Sequence, residues 1–227
     1  MRLNARHSLV LGAAAAVLGL GSPAFASFHL MQIEQVIGGV GGDSSIQAIQ
    51  LRMRANGQNL VSAARIRAWD ATGSNPILIL DLTTDVPNGA TGDRVLIVSP
   101  NFASSFPGIT PDFTMTAVIP PSYLAAGKLT WEDDAGTVYW GLAWGGAGYT
   151  GTNTGSTFND GDGNFNPPFA GALPSATGQA LQFPGPATAM STNNAADYAV
   201  TAGNATFTNN AGGSGTVPVE LLDFSVE

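Results

Sequence analysis

Asp160-Gly161-Asp162-Gly163-Asn164-Phe165-Asn166 sets an oxygen-bearing side chain at every second position of a glycine-rich loop. Calcium takes six to eight oxygens, and alternate residues of a tight loop can converge on one ion. Asp160, Asp162, Asn164 and Asn166 are therefore candidate calcium ligands, although an EF-hand would need glycine where Phe165 stands and a glutamate where Gly171 stands. Solvated aspartates in ordinary turns account for the same pattern. A second candidate is the quartet Arg52, Arg54, Arg65 and Arg67, two residues apart within each pair. Strands joined at Asn56-Gly57, a strong turn signal, would bring all four to one face. Like charges facing each other then need carboxylates (Glu34, Asp70 or Asp81) or an anionic ligand. Arginine also serves to keep an exposed strand face soluble.

Trp69, Trp131, Trp140 and Trp144, with Tyr139 and Tyr149, invite a third reading, stacking against sugar rings, in which Trp140, Trp144 and Tyr149 are the binding candidates, while tryptophans on strands equally serve core packing. Paired carboxylates drawn from Glu34, Glu132 and Asp197 would suit glycoside hydrolysis, though Glu132-Asp133-Asp134 reads first as a solvated turn. Other chemistry is poorly provided for. The chain has no cysteine, and after residue 7 its one histidine is His29. Thiol nucleophiles and histidine-clustered zinc are thus excluded, and a serine triad lacks a well-placed base. No catalytic residue is assigned, and no cofactor beyond the calcium alternative.

The elements that must position these residues are strands. Ile46–Ala55 alternates strictly, with Ile49, Leu51 and Met53 on one side and Ala48, Gln50, Arg52 and Arg54 on the other. Ala63–Trp69 repeats the pattern, and Phe28–Val40 and Arg94–Ser99 also read as strands. The continuous run Ile77-Leu78-Ile79-Leu80 predicts a strand buried on both faces. Lys128–Trp131 and Thr137–Trp144 form a hairpin, and Asn101–Phe106 and Pro120–Gly127 suit single helical turns. Residues 145–178 form a long Gly/Asn-rich excursion of the kind that is usually functional when it has no structure of its own. The fold class is all-β, a sandwich spanning 27–202, followed by a flexible linker at 203–216 and a strand-like tail at 217–227.

Residues 1–26 read as a secretion signal: Arg2 and Arg6, an apolar stretch to Leu20, then the small-x-small cleavage pattern Ala24-Phe25-Ala26. Cleavage there starts the mature chain at Ser27 and places it outside the cytoplasm. Losing both arginines leaves six basic residues against 16 acidic ones. That excess of negative charge disfavours nucleic acid as a partner. No stretch after Leu20 is apolar enough to span a bilayer.

Two segments carry a resemblance. Asp133, Gly136, Val138, Leu142, Trp144 and Gly145 follow one short pattern, with Trp140 at a usually polar position; Asn194, Ala196, Asp197 and Tyr198 follow a closing one. With Met31–Val36 and Gln47–Leu51 as first and second strands, the chain resembles the lamin-tail type of immunoglobulin-like β-sandwich found in secreted bacterial proteins. Gln50 and Arg52 depart from its second-strand pattern. The resemblance implies a binding or tethering module without catalytic residues, whose partner is an extracellular or envelope protein or glycan. The alternatives are a calcium-assisted carbohydrate-binding module and a carboxylate-based glycan-active enzyme. Val217–Glu227 resembles the segment that often precedes a sorting signal, and such a strand could also join copies into a homo-oligomer.

Overall fold

A computed structural model describes residues 27–153, 167–189 and 193–218. Its strands in chain order are β1 (Met31–Ile37), β2 (Ala48–Met53), β3 (Ala64–Trp69), β4 (Ile77–Asp81), β5 (Arg94–Val98), β6 (Phe113–Thr114), β7 (Gly127–Asp133), β8 (Val138–Trp144), β9 (Leu181–Gln182), β10 (Ala199–Val200), β11 (Thr206–Thr208) and β12 (Ser214–Thr216). Two short helices, α1 (Pro100–Ser105) and α2 (Asn194–Asp197), and two 3-10 turns at Pro121–Tyr123 and Gly146–Gly148 accompany the strands among the described residues. The protein is an all-β sandwich. One sheet runs β10-β9-β1-β2-β5-β6, the other β4-β3-β7-β8, and β11-β12 form a separate hairpin. All pairings are antiparallel except β5 with β6.

The period-2 alternation of β2 and β3 sends their apolar sides into one core between the sheets. Ile49, Leu51 and Met53 there meet Ile66, Trp131, Trp140, Leu142 and Trp144, all fully buried. β1 breaks strict alternation. Its register to β2 slips between Ile33 and Gln35, so Glu34 is the extra residue of a β-bulge and the side-chain phase resets after it. Met31 and Ile33 face the main core, while Ile37 faces the opposite side of the sheet.

That opposite side has its own core. Ile37, Ala48, Leu96, Val98 and Phe102 pack with Phe207 and Val217. Residues 203–216 are therefore not a linker. Thr206–Thr208 pairs with Ser214–Thr216, and Phe207, fully buried, is the apolar plug that fastens the hairpin to the sheet. Gln50 and Gln35 bond the hairpin's backbone from beneath, through Thr208 N and Thr206 O. The composition of the segment is turn-rich because a hairpin needs turns, with Gly212 at φ +83. The tail beyond Pro218 lies outside the described residues.

Two further expectations change. β2 and β3 belong to different sheets, so Asn56-Gly57 sits in a crossover and the two arginine pairs are not neighbours. β4 is an edge strand with Leu78 44% exposed, so its apolar run does not mark burial on both faces.

Candidate functional site

The outer face of the four-stranded sheet gathers three of the six Lys and Arg residues that follow position 26. In β3, Ala64, Ile66 and Ala68 are buried, so Arg65, Arg67 and Trp69 must point outward. Antiparallel register sets Glu132 opposite Arg65, Thr130 opposite Arg67 and Lys128 opposite Trp69. A carboxylate buried this way needs partners, and Glu132 has them. Its Oε2 accepts from Arg65 Nε at 3.2 Å and from Arg67 Nε and Nη2 at 2.8 and 2.6 Å. Its Oε1 accepts from Thr130 Oγ1 at 2.5 Å. Glu132 is thus the fully buried centre of an ion cluster, not part of a solvated turn.

The same face organises an aromatic ring. Trp69 Nε1 donates to Thr130 Oγ1 at 2.8 Å, which turns the indole across the sheet. The Arg67 guanidinium lies 4.6 Å from the ring centroid and Lys128 Nζ 5.2 Å from it, both within cation–π range. Lys128 Nζ also donates to the Thr152 carbonyl at 3.0 Å. Burial lowers the Lys128 pKa, with Glu132 acting in the opposite sense. Arg65 and Arg67 keep part of their side chains in solvent, each 22% exposed.

Segment 149–153 borders this face. Thr150 N donates to Ala71 O, and Tyr149 packs with Ala126 and Ala143. Tyr149 is 6% exposed, and its phenol pKa is pushed up to about 12, by burial first and by Asp70 second. Asn153 is 1% exposed, and neither Nδ2 nor Oδ1 has a hydrogen-bond partner among the described residues.

The other arginines serve the six-stranded sheet. Glu34, at the β1 bulge, accepts from Gln50 Nε2 at 2.7 Å, from Arg52 Nη1 at 2.9 Å and from Arg94 Nε and Nη2 at 2.7 and 2.9 Å. Arg52 continues to Gln32 Oε1 and the Gly185 carbonyl. Arg54 is 4% exposed, with its guanidinium 5.3 Å from the Trp140 ring centroid. Arg52 and Arg54 therefore hold the inside of the protein together, whereas Arg65 and Arg67 reach its surface. Trp140 and Trp144 do not reach it either. Both are fully buried, so neither offers a ring to a sugar. Sequence alternation put them on one face correctly, but that face is the core.

Trp69, one of the aromatic candidates for sugar stacking, does reach this face, and Lys128, which no sequence signal singled out, lies buried beneath its edge. The signal for Trp69 was present in Arg65-Ile66-Arg67-Ala68-Trp69, whose polar alternation runs one step past the arginines. Asp160, Asp162, Asn164 and Asn166 lie outside the described residues. Among the described residues, no group of three or more His, Asp or Glu could hold a metal ion.

The segments that carry the family resemblance meet in space. Trp140 Nε1 donates to Tyr198 Oη at 2.9 Å, and Tyr198 Oη donates to Ile33 O at 2.5 Å. Asn194 Oδ1 accepts from Ala143 N at 2.9 Å, and the Phe169 N–H donates to Ala143 O at 2.9 Å. The long excursion after β8 thus returns to cover the free edge of that same strand, which would otherwise invite pairing. No protein-family model matches this chain, and no curated protein matches it.

Proposed function

We propose that this protein is a secreted, non-catalytic binding module of lamin-tail-like type that holds an extracellular or envelope ligand on the outer face of its four-stranded sheet. The observation that carries this reading is the row Arg65-Arg67-Trp69. It combines fixed cations with an aromatic ring on a rigid strand and keeps part of each in solvent. Sites on rigid elements hold their geometry without further ordering cost.

The non-catalytic part rests on the two buried glutamates. Acid–base work needs a carboxyl free to exchange a proton with substrate. In Glu34 and Glu132 both oxygens already accept from arginine, glutamine or threonine. The lamin-tail-like part is supported by the bonds between the two motif segments. Tyr198 and Asn194 of the closing motif lock onto Trp140 and Ala143 of the hairpin motif.

The test is binding of the labelled secreted protein to an array of envelope polysaccharides and to whole cells. Saturable binding that falls at least about tenfold in Arg67→Ala supports the reading, a loss in line with removing a charged hydrogen-bonding group. Absence of saturable binding to every component counts against it. Release of new reducing ends from any glycan, abolished in Glu34→Gln or Glu132→Gln, would replace it with the enzymatic alternative.

A further inference from the structure

We infer that the ligand of this face is a carboxylate-bearing sugar, a uronic acid unit within an acidic polysaccharide; this rests on the binding role proposed above. The charge count comes first. Arg65, Arg67 and Lys128 surround one carboxylate, Glu132, whose two oxygens are both engaged. The face therefore sets three cations against Glu132 and the cross-strand Asp81, on a protein whose formal charge is −8. Asp81 stands beside Arg65 in the strand register and forms no ion pair with it. The Asp134 contribution to Arg65 is a backbone carbonyl at 3.0 Å.

Hydrogen-bonding capacity comes second. A guanidinium has five N–H groups. Arg67 spends its Nε and one Nη2 group on Glu132, and Arg65 spends Nε on Glu132 and Nη1 on Asp134 O. The remaining N–H groups have no other partner among the described residues. The outer Nη1–Nη2 edge of a guanidinium matches the two oxygens of a carboxylate.

Size and shape come third. Residues i, i+2 and i+4 of a strand span roughly 13 Å, so the row is as long as two or three sugar rings and far smaller than a stable protein interface. Trp69 supplies an apolar ring beside the cations. Fixed guanidinium edges beside an apolar ring therefore match a small anionic sugar ring, its carboxylate on the arginines and its ring face on Trp69.

The experiment is titration of the full secreted protein with polygalacturonate, with its carboxyl-reduced counterpart and with inorganic sulfate as competitor. Polygalacturonate is expected to bind, the reduced polymer to bind at least about tenfold more weakly, and Arg65→Gln and Arg67→Gln each to lose about tenfold or more. Arg65→Lys keeps the charge without the fork and is expected to lose affinity as well. Arg94→Gln, which removes one charge from the opposite sheet, is expected to bind normally. Melting curves separate binding loss from unfolding, and the lysine variant serves if a glutamine variant does not fold. Equal affinity for the reduced polymer, an equal loss in Arg94→Gln, or complete displacement by sulfate at the concentration of galacturonate units overturns the inference. Binding of a neutral glycan that depends on Trp69 would overturn it while leaving the binding role intact.

Discussion

Removing one oxygen atom, in Tyr198→Phe, tests whether the two motif segments hold each other. Tyr198 is 3% exposed, and its hydroxyl both accepts from Trp140 Nε1 at 2.9 Å and donates to Ile33 O at 2.5 Å. Phenylalanine keeps the ring and its contact with Phe183, whose centroid lies 5.5 Å away. Of the two hydrogen bonds it deletes, the one to Ile33 O is worth about 1 kcal/mol net. The substitution also strands the indole N–H of a fully buried tryptophan, and an unmatched buried donor costs about 1–3 kcal/mol. The total expected is about 2–4 kcal/mol. For a chain of this size each kcal/mol moves Tm by roughly 2–4 °C, so melting should fall by about 5–15 °C. Urea denaturation followed by tryptophan fluorescence should show the midpoint lower by about 1 M at unchanged slope. A shift under about 1 °C would mean that the two segments are merely adjacent, and that the hydroxyl bridge contributes nothing to the closure of the sandwich.

Phe207→Ala should destabilise by about 3–5 kcal/mol, the usual cost of emptying a buried phenylalanine site, in denaturant melts; a flexible linker there would show no change. The Asp70 carboxylate accepts from Thr72, Ser74 and Asn75, which holds its pKa at about 2. Its stabilising contribution is present above the unfolded pKa near 3.8 and is lost as pH falls toward 2; a carboxyl NMR titration with a midpoint near 3.8 would contradict the turn geometry. Burial and the Asp133 hydrogen bond push Tyr139 up to about 12, burial does the same for Tyr149, and burial takes Tyr198 higher still. Raised acids favour the native state until pH passes the unfolded value near 10, so stability should decline above pH 10. Ultraviolet titration should then find these phenolates appearing only with unfolding. Gly145 lies at φ +98, and a Cβ there would stand 2.4 Å from that of Ala126; Gly145→Ala should therefore lower Tm measurably in calorimetry, through strain at the end of β8.

Alternation was the legible part of the fold. The in-and-out pattern of β2, β3 and the β7–β8 hairpin follows from residue type alone, because strand side chains change face at every step. β1 was less legible, since one bulged residue, Glu34, reverses the phase without any local marker. β4 misled for a related reason: Leu78 and Ile79 are equally apolar in sequence, but only the sheet order decides that the strand lies at an edge. Residues 203–216 looked like a linker because turn residues outnumber apolar ones, yet a single buried Phe207 is enough to dock the hairpin on a waiting apolar surface.

The site divides along the same line. Residue types and spacing put Arg65 and Arg67 on one face of their strand, and the structure extends that face to Trp69, which the sequence offered only as a stacking aromatic. Partnership was decided elsewhere. Which arginine meets which glutamate depends on register between strands distant in the chain. Arg65 and Arg67 find Glu132 across β7, and Arg52 and Arg94 find Glu34 at the bulge. Sequence by itself determined a strand-built protein with few, paired cations and a core rich in tryptophan. Only the tertiary structure decided which cations are spent inside and which reach solvent, because burial belongs to the assembled sheets and not to any one strand.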